Sequence, residues 1–501
     1  MKTIVLGPPG TGKTTTLLNK VDDYLKETDP DRVGYFAFTQ KAAHHARDEA
    51  IKKFNLTEDD LPYFRTLHSL AFRKLGLKKD QVMQPSHYKD LGKKLGFPVT
   101  YAEHQDVHGG FFTSDSEFLQ IINLAKVRNI TLEQQYNRRE HTQDLELDKL
   151  HDIAEALRIY KKEYNLIDFN DMILDFVKSD LSPKFDVVFI DEAQDLSLMQ
   201  WDMTKSIWNK SEDTFVAGDD DQAIFKWAGA DVDSFIALQD QMINLPLIQS
   251  HRIPMKVHGL AMGIINRIKH RINKSWHPRT SEGSLHRHFD IESVDMSSGD
   301  WLVLARTKHM LREIEDVLHR KGLYYETRHK RGHEKDIQEA ATDWEHLRQG
   351  QLLAYRQIEK IYSYMTPEHV NKPKLKGMTK GSFYGIDQLT KDFGLKIKKV
   401  WFEAFDDVGS KRINYLRKMR ANGEQLNKKP RIELSTIHAA KGGESQNVVL
   451  LTNLTKTTWG NYMDVNNFQD DENRLYYVGA TRTKENLHIV EPNQYDKGFI
   501  I

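Results

Sequence analysis

Ile4-Val5-Leu6-Gly7-Pro8-Pro9-Gly10-Thr11-Gly12-Lys13-Thr14-Thr15 is the stretch on which the fold class turns. A short apolar run, residues 3–6, leads into a loop rich in glycine and proline, and a helix-compatible run continues from residue 13 to about residue 26. Strand, glycine loop and helix in that order are the setting in which GxxxxGK[ST] binds phosphate. The glycines let backbone N–H groups turn inward, and the N-terminus of the following helix favours anions. Lys13 is then placed to neutralise the β- and γ-phosphates, and the Thr14 hydroxyl to ligate Mg²⁺. The expected nucleotide-binding set is Gly7, Pro8, Pro9, Gly10, Thr11, Gly12, Lys13, Thr14 and Thr15. An incidental glycine turn is the lesser reading at this spacing. The apolar run is also too short for the core of an export signal, so it reads as a buried strand.

Working outward, residues 33–38 read as a second strand, with a helix opening near Lys41. The run 186–190 (Asp-Val-Val-Phe-Ile) reads as a central parallel strand ending at Asp191-Glu192, and 214–217 as another. After such a strand the first carboxylate, Asp191, suits Mg²⁺, and Glu192 suits the general base that activates water. An acidic pair by itself is more often a helix cap; the phosphate loop upstream tips the balance. At this point kinases, transport ATPases and nucleotide switches all stay open. Residues 68–168 are mostly helical in pattern. Strand signals resume near 244, at 301–305, 431–435, 447–451 and 487–490. The chain thus reads as a first core in two parts (1–75 and 166–245) around a helical insertion (76–165). A second core (246–329 and 431–501) surrounds a mixed insertion (330–430).

With 501 residues, 39% hydrophobic and 10% aromatic, the chain can build several cores and is not disordered. No stretch approaches the length of a membrane span, so no membrane partner is expected. The absence of cysteine excludes disulfides, and with no export signal the expected compartment is cytoplasmic. The 22 histidines show no paired metal-ligand pattern, so no zinc site is expected. Lys+Arg and Asp+Glu each total 72, yet residues 330–431 hold 22 Lys/Arg against 13 Asp/Glu. That insertion is either a duplex-contacting surface or a solvated lysine-rich face.

Further strings stand in a fixed order. Phe38-Thr39-Gln40-Lys41-Ala42-Ala43, Thr66-Leu67-His68-Ser69 and Asp168-Phe169-Asn170-Asp171-Met172 precede Ile190-Asp191-Glu192-Ala193-Gln194-Asp195. Gly218-Asp219-Asp220-Asp221-Gln222-Ala223-Ile224-Phe225-Lys226-Trp227-Ala228-Gly229-Ala230 and Ser250-His251-Arg252 follow it. Ser435-Thr436-Ile437-His438-Ala439-Ala440-Lys441-Gly442-Gly443-Glu444 and Tyr477-Val478-Gly479-Ala480-Thr481-Arg482 close the series. The ordered series resembles the UvrD/Rep-like helicases of superfamily 1.

The resemblance implies two RecA-like α/β cores with parallel sheets, each carrying an inserted accessory domain. It implies Mg²⁺-dependent ATP hydrolysis stimulated by single-stranded DNA, 3′→5′ movement and action at forked duplexes. Gln222 would sense the γ-phosphate, and Arg252 and Arg482, supplied by the second core, would contact it as arginine fingers. Glu444 would hold the ribose. Phe38, Phe225 and Trp227 would stack on bases, which is tolerant of sequence because every base has a π-face. Burial in a core is the ordinary alternative for such rings. Thr39, His68, Arg306, Thr436 and His438 would contact phosphate or sugar.

Departures from the pattern shape further expectations. His251 stands where the family has tyrosine, so adenine would stack on imidazole. Gly443 and Ser445 replace a usual leucine and aromatic. Relatives carry a glutamine segment ahead of the phosphate loop; here the loop begins at Gly7, and relaxed choice among purine triphosphates is the expectation. A compact build of this kind suits a stripped-down genome such as a virus's. The rival reading is a DNA-stimulated ATP switch that displaces DNA-bound proteins without processive unwinding. Roles in replication, repair and recombination are not distinguished by these residues.

Overall fold

The structure, a computed structural model, describes residues 1–96, 101–102, 113–114, 116–138, 145–327, 334–425, 428–463, 469–492 and 497–501. Six strands form the first sheet: β1 (Lys2–Leu6), β2 (Val33–Ala37), β3 (Phe64–Arg65), β4 (Phe185–Asp191), β5 (Ser211–Gly218) and β6 (Ile243–Pro246). Their spatial order is β3-β2-β4-β5-β1-β6, and every adjacent pair is parallel. Parallel strands covered on both faces read as continuous apolar runs. Val33–Ala37 is accordingly buried at every position, as are Thr3–Leu6 within β1.

The second sheet holds β7 (Ser284–His288), β8 (Trp301–Ala305), β9 (Tyr325–Thr327), β10 (Ile432–Thr436), β11 (Ser445–Leu451) and β12 (Thr483–Val490). Its order is β9-β10-β8-β11-β12-β7, with β8 parallel to β10 and β11. The expected α/β class with two parallel-sheet cores is what the chain adopts.

Packing divides the chain into two compact units. One comprises Met1–Ser284, Thr457–Glu485 and Ile501; the other Leu285–Lys456 and Asn486–Ile500. Each unit also has an apolar cluster apart from its sheet. In the first unit it is built from helices such as Pro85–Leu95, Glu117–Val127 and Leu147–Glu163 around Leu119, Ile122 and Leu150. In the second unit it surrounds Trp344, Ile361 and Leu416. Lys126 and Lys161 tie the first of these clusters to the core: both reach Asp168 and Asp171 at the N-terminus of helix Phe169–Lys178. Among the described residues no helix is long and apolar enough to cross a membrane.

Candidate nucleotide site and nucleic-acid interface

In an open parallel sheet the loops at the carboxyl edge carry the chemistry. Here that edge gathers the loop after β1, Asp191 at the end of β4, and Asp219 just after β5. Gly7 N donates to Gly218 O at 3.1 Å, which joins the loop to the β5 end. Gly12 is left-handed (φ 82°) and starts helix Lys13–Leu25 without a side-chain cap, so its first N–H groups remain for a ligand. Gly10 is also left-handed (φ 72°), and a Cβ there would lie 2.4 Å from the Arg252 Cβ. Glycine is required at that position on both counts.

Thr14 Oγ1 donates to Asp191 Oδ2 at 2.9 Å, and the Tyr35 hydroxyl donates to the same oxygen at 2.9 Å. Burial and the neighbouring Glu192 charge push the Asp191 carboxyl above its ordinary range, against Thr14, Tyr35 and Lys13. A hydroxyl and a carboxylate this close make a hard-oxygen donor set of the kind Mg²⁺ takes. Lys13 Nζ donates to Gly7 O at 2.7 Å. Glu192 sits at φ 54°, in the left-handed region that a residue with a side chain seldom adopts.

From Glu192 a chain of hydrogen bonds runs through the first unit. Gln194 Nε2 donates to Glu192 Oε2 at 2.6 Å, and Gln194 Oε1 accepts from Asp219 N at 3.1 Å. Gln222 Nε2 donates to Asp219 Oδ2 at 2.7 Å, and Gln222 Oε1 accepts from Arg482 Nη2 at 3.0 Å. The expected base, sensor and one expected arginine are therefore linked by one hydrogen-bonded path, which passes through the backbone N–H and the carboxylate of Asp219. Arg252 is held beside the loop by a neighbouring device. Ser250 Oγ donates to Pro9 O at 2.8 Å, and His251 N donates to Gly10 O at 2.8 Å. The His251 ring itself is exposed.

Sequence reasoning missed the residues beneath this chain. Asp219, Asp220 and Asp221 are fully buried, and Lys274 reaches all three, with Nζ at 3.0 Å from both Asp219 Oδ1 and Asp221 Oδ2. Arg271 grips Asp221 through two bonds, at 2.7 and 2.6 Å. Arg474 Nε donates to Asp220 O at 3.0 Å. Burial raises the Asp219 carboxyl, but Lys274 and Lys13 more than offset it and hold it low. The run of three aspartates was a signal; its cationic partner 53 to 55 residues onward was not legible. Removing one partner of a buried ion network leaves charge uncompensated and costs ~3–5 kcal/mol. Lys274→Met should accordingly lower the thermal midpoint of the full chain; an unchanged midpoint would show that the network adds nothing to stability.

The expected base-stacking rings fall into two environments. Phe38 and Phe225 are buried and stack on each other at 5.7 Å. Trp227 is 43% exposed and meets Phe225 edge-on. Its segment rests on the end of helix Glu117–Val127: Arg128 Nη2 donates to Lys226 O at 3.3 Å, and Gly229 abuts Val127. Thr39 caps helix Gln40–Phe54 by accepting from Ala42 N. His68 is buried edge-on to Phe169, and burial brings its pKa down to about 4, so it is neutral. Arg306, Thr436, His438 and Glu444 belong to the second unit. There Arg306 follows Ala305, which pairs in register with Thr436, so two expected contacts share one sheet edge. Thr436 Oγ1 accepts from Ala439 N, and Glu444 is exposed.

Comparison with known proteins gives two family matches. Residues 1–243 match the UvrD/REP helicase N-terminal domain, and residues 410–494 match the UvrD-like helicase C-terminal domain. The chain is 24% identical over 319 residues to ATP-dependent DNA helicase Rep of Buchnera aphidicola subsp. Acyrthosiphon pisum (strain APS), covering 56% of this chain and 45% of that one. It is 22% identical over 372 residues to ATP-dependent DNA helicase PcrA of Leuconostoc citreum, covering 64% and 47%. For PcrA of Bacillus subtilis (strain 168) the identity is 21% over 371 residues, covering 64% and 48%. The matches span about half the length of these relatives.

Proposed function

The chain belongs to the UvrD/Rep-like helicase family of superfamily 1, and on that premise we propose that it is an ATP-driven motor on single-stranded DNA. The reaction is hydrolysis of ATP, coupled to 3′→5′ movement and to unwinding at forked duplexes in the cytoplasm. One observation carries this reading: the hydrogen-bonded chain from Glu192 through Gln194, Asp219 and Gln222 to Arg482. It ties the expected hydrolytic base to Gln222, three residues ahead of the Phe225–Trp227 segment, so a change at the phosphate has a short route to the nucleic-acid side.

In this reading the loop 7–15 and Lys13 hold the phosphates, and Glu192 orients water and accepts its proton. Gln222, Arg252 and Arg482 meet the charge that develops on the transferred group. Thr14 and Asp191 fit Mg²⁺, which when bound would neutralise phosphate charge. His251 stacks on adenine, Glu444 holds the ribose, and Thr39, His68, Arg306, Thr436 and His438 serve the DNA backbone. The domain scheme is two cores, 1–75 with 166–245 and 246–329 with 431–501. The separate apolar clusters at 83–160 and 337–419 support reading 76–165 and 330–430 as insertions. The deciding experiment is ATPase activity with oligonucleotides of each strandedness and polarity. Hydrolysis indifferent to single-stranded DNA would refute the motor.

Trp227 is the exposed ring of the proposed track, and a base–aromatic stack is worth ~1–3 kcal/mol. Trp227→Ala is therefore expected to weaken oligonucleotide binding by that amount and to cut DNA stimulation more than the DNA-free rate. Unchanged binding by a folded variant would remove Trp227 from the track.

The second insertion supplies a further expected result. Lys374, Lys376, Lys380 and Lys391 are exposed, and among the described residues none makes an ion pair. Each phosphate contact contributes ~0.9 to the slope of log affinity against log salt on duplex DNA. Changing the four lysines to glutamine should lower fork affinity and flatten its salt dependence, with little change on plain single strand. Equal losses on both substrates would argue against a duplex surface.

A further inference from the structure

Pairing of β7 with β12 brings together three histidines that no sequence spacing reveals. His286 and His288 alternate on β7 and so share one face of the sheet. His488 sits on the neighbouring strand β12. The His286 ring stacks on His488 at 4.6 Å, and His288 lies 5.2 Å from it. His288 Nε2 and His488 Nδ1 are 3.0 Å apart.

The surroundings settle which nitrogens carry protons. Ser293 Oγ donates its only hydrogen to Asp290 O at 2.7 Å. Its 2.9 Å contact with His288 must therefore be a bond donated by His288 Nδ1. That leaves His288 Nε2 as a bare lone pair facing His488 Nδ1. A ligand histidine held by an outer hydrogen bond at its other nitrogen is the usual arrangement at a metal. Two nitrogens on one tetrahedral Zn²⁺ lie about 3.3–3.4 Å apart, given Zn–N lengths of ~2.0–2.1 Å. The observed pair needs to open only slightly.

We propose that His286, His288 and His488 form a binding site for a divalent transition-metal ion of the Zn²⁺ class. The ion takes the place of the proton between His288 Nε2 and His488 Nδ1; that proton passes through solvent to His488 Nε2, so His488 stays a neutral imidazole and binds through Nδ1. His286 supplies the third nitrogen. Among the described residues no three histidine nitrogens already converge, so His286 turns about its side-chain torsions to complete the set. That rotation is open to it because its ring is exposed. Imidazole ligands bind in the neutral form. β7 is the last strand of the sheet, so the ion pins an edge strand to its neighbour across 200 residues of chain.

The test is titration of the full chain, freed of metal by chelation, with Zn²⁺ in the presence of excess Mg²⁺ to occupy oxygen-donor sites. The expected result is one equivalent bound, a higher thermal midpoint, and ligand-field absorption when Co²⁺ is used instead. Loss of an outer hydrogen-bonding partner costs ~10–100-fold in metal affinity, so Ser293→Ala should fall in that range. His286→Ala and His488→Ala should lose at least as much while melting normally in chelator. His286 is exposed, so its variant remains informative even if His488→Ala misfolds. No Zn²⁺ bound by the unmodified chain, or binding that survives His286→Ala undiminished, overturns the proposal.

Discussion

Replacing Arg482 with alanine is expected to lower kcat for ATP hydrolysis by ~10³–10⁵-fold, the range for an arginine that meets transition-state charge. Arg482 is only 2% exposed. Its Nε donates to Val478 O at 3.0 Å and its Nη2 to Gln222 Oε1 at 3.0 Å. Those two bonds orient the guanidinium, so catalysis should depend on the planar fork as well as on the charge. Arg482→Lys keeps a cation but cannot make both bonds at once, and it should fall nearly as far. An interaction made only in the transition state lowers kcat and kcat/KM together. ATP binding by the folded variants should therefore stay close to that of the unmodified chain. Hydrolysis by Arg482→Ala within about tenfold of normal would remove Arg482 from the reaction, since positioned catalytic groups contribute more than that.

Glu192→Gln is expected to cost ~10²–10⁴-fold in hydrolysis, the loss typical of a positioned general base. The change is nearly isosteric: an amide oxygen can still accept from Gln194 Nε2, which now donates to Glu192 Oε2 at 2.6 Å. What disappears is the ability to take a proton from water. ATP affinity should be retained, in contrast to Lys13→Ala, which would remove the proposed phosphate contact. A second readout follows from the neighbouring carboxyl. Part of the upward push on Asp191 comes from the Glu192 charge, after burial. Removing that charge should move the Asp191 carboxyl back down, which titration of a labelled aspartate can follow. A variant that hydrolyses ATP at the normal rate would show that another group activates the water.

The local stretches were legible because their physics is local. Residues 3–15 specify a buried strand, a loop needing left-handed glycines and a helix N-terminus, all within one stretch of backbone. Apolar runs such as 186–190 announce a strand buried on both faces, and the acidic pair after it announces the site. The ordered motifs extended that reading to the family. Sequence could not choose partners across long separations. Arg482 meets Gln222 across 260 residues, and Lys274 enters a cluster of three aspartates more than fifty residues behind it. Nor could composition sort the aromatics: Phe38 and Phe225 close on each other while Trp227 stays exposed, a division that only the tertiary packing shows. The same holds for His286, His288 and His488, which show no ligand spacing along the chain. Strand order alone puts β7 beside β12. Sequence determines which backbone shapes and which chemistries are present. Which side chains meet is decided by topology, because burial and hydrogen-bond partners depend on elements brought together only when the sheets close.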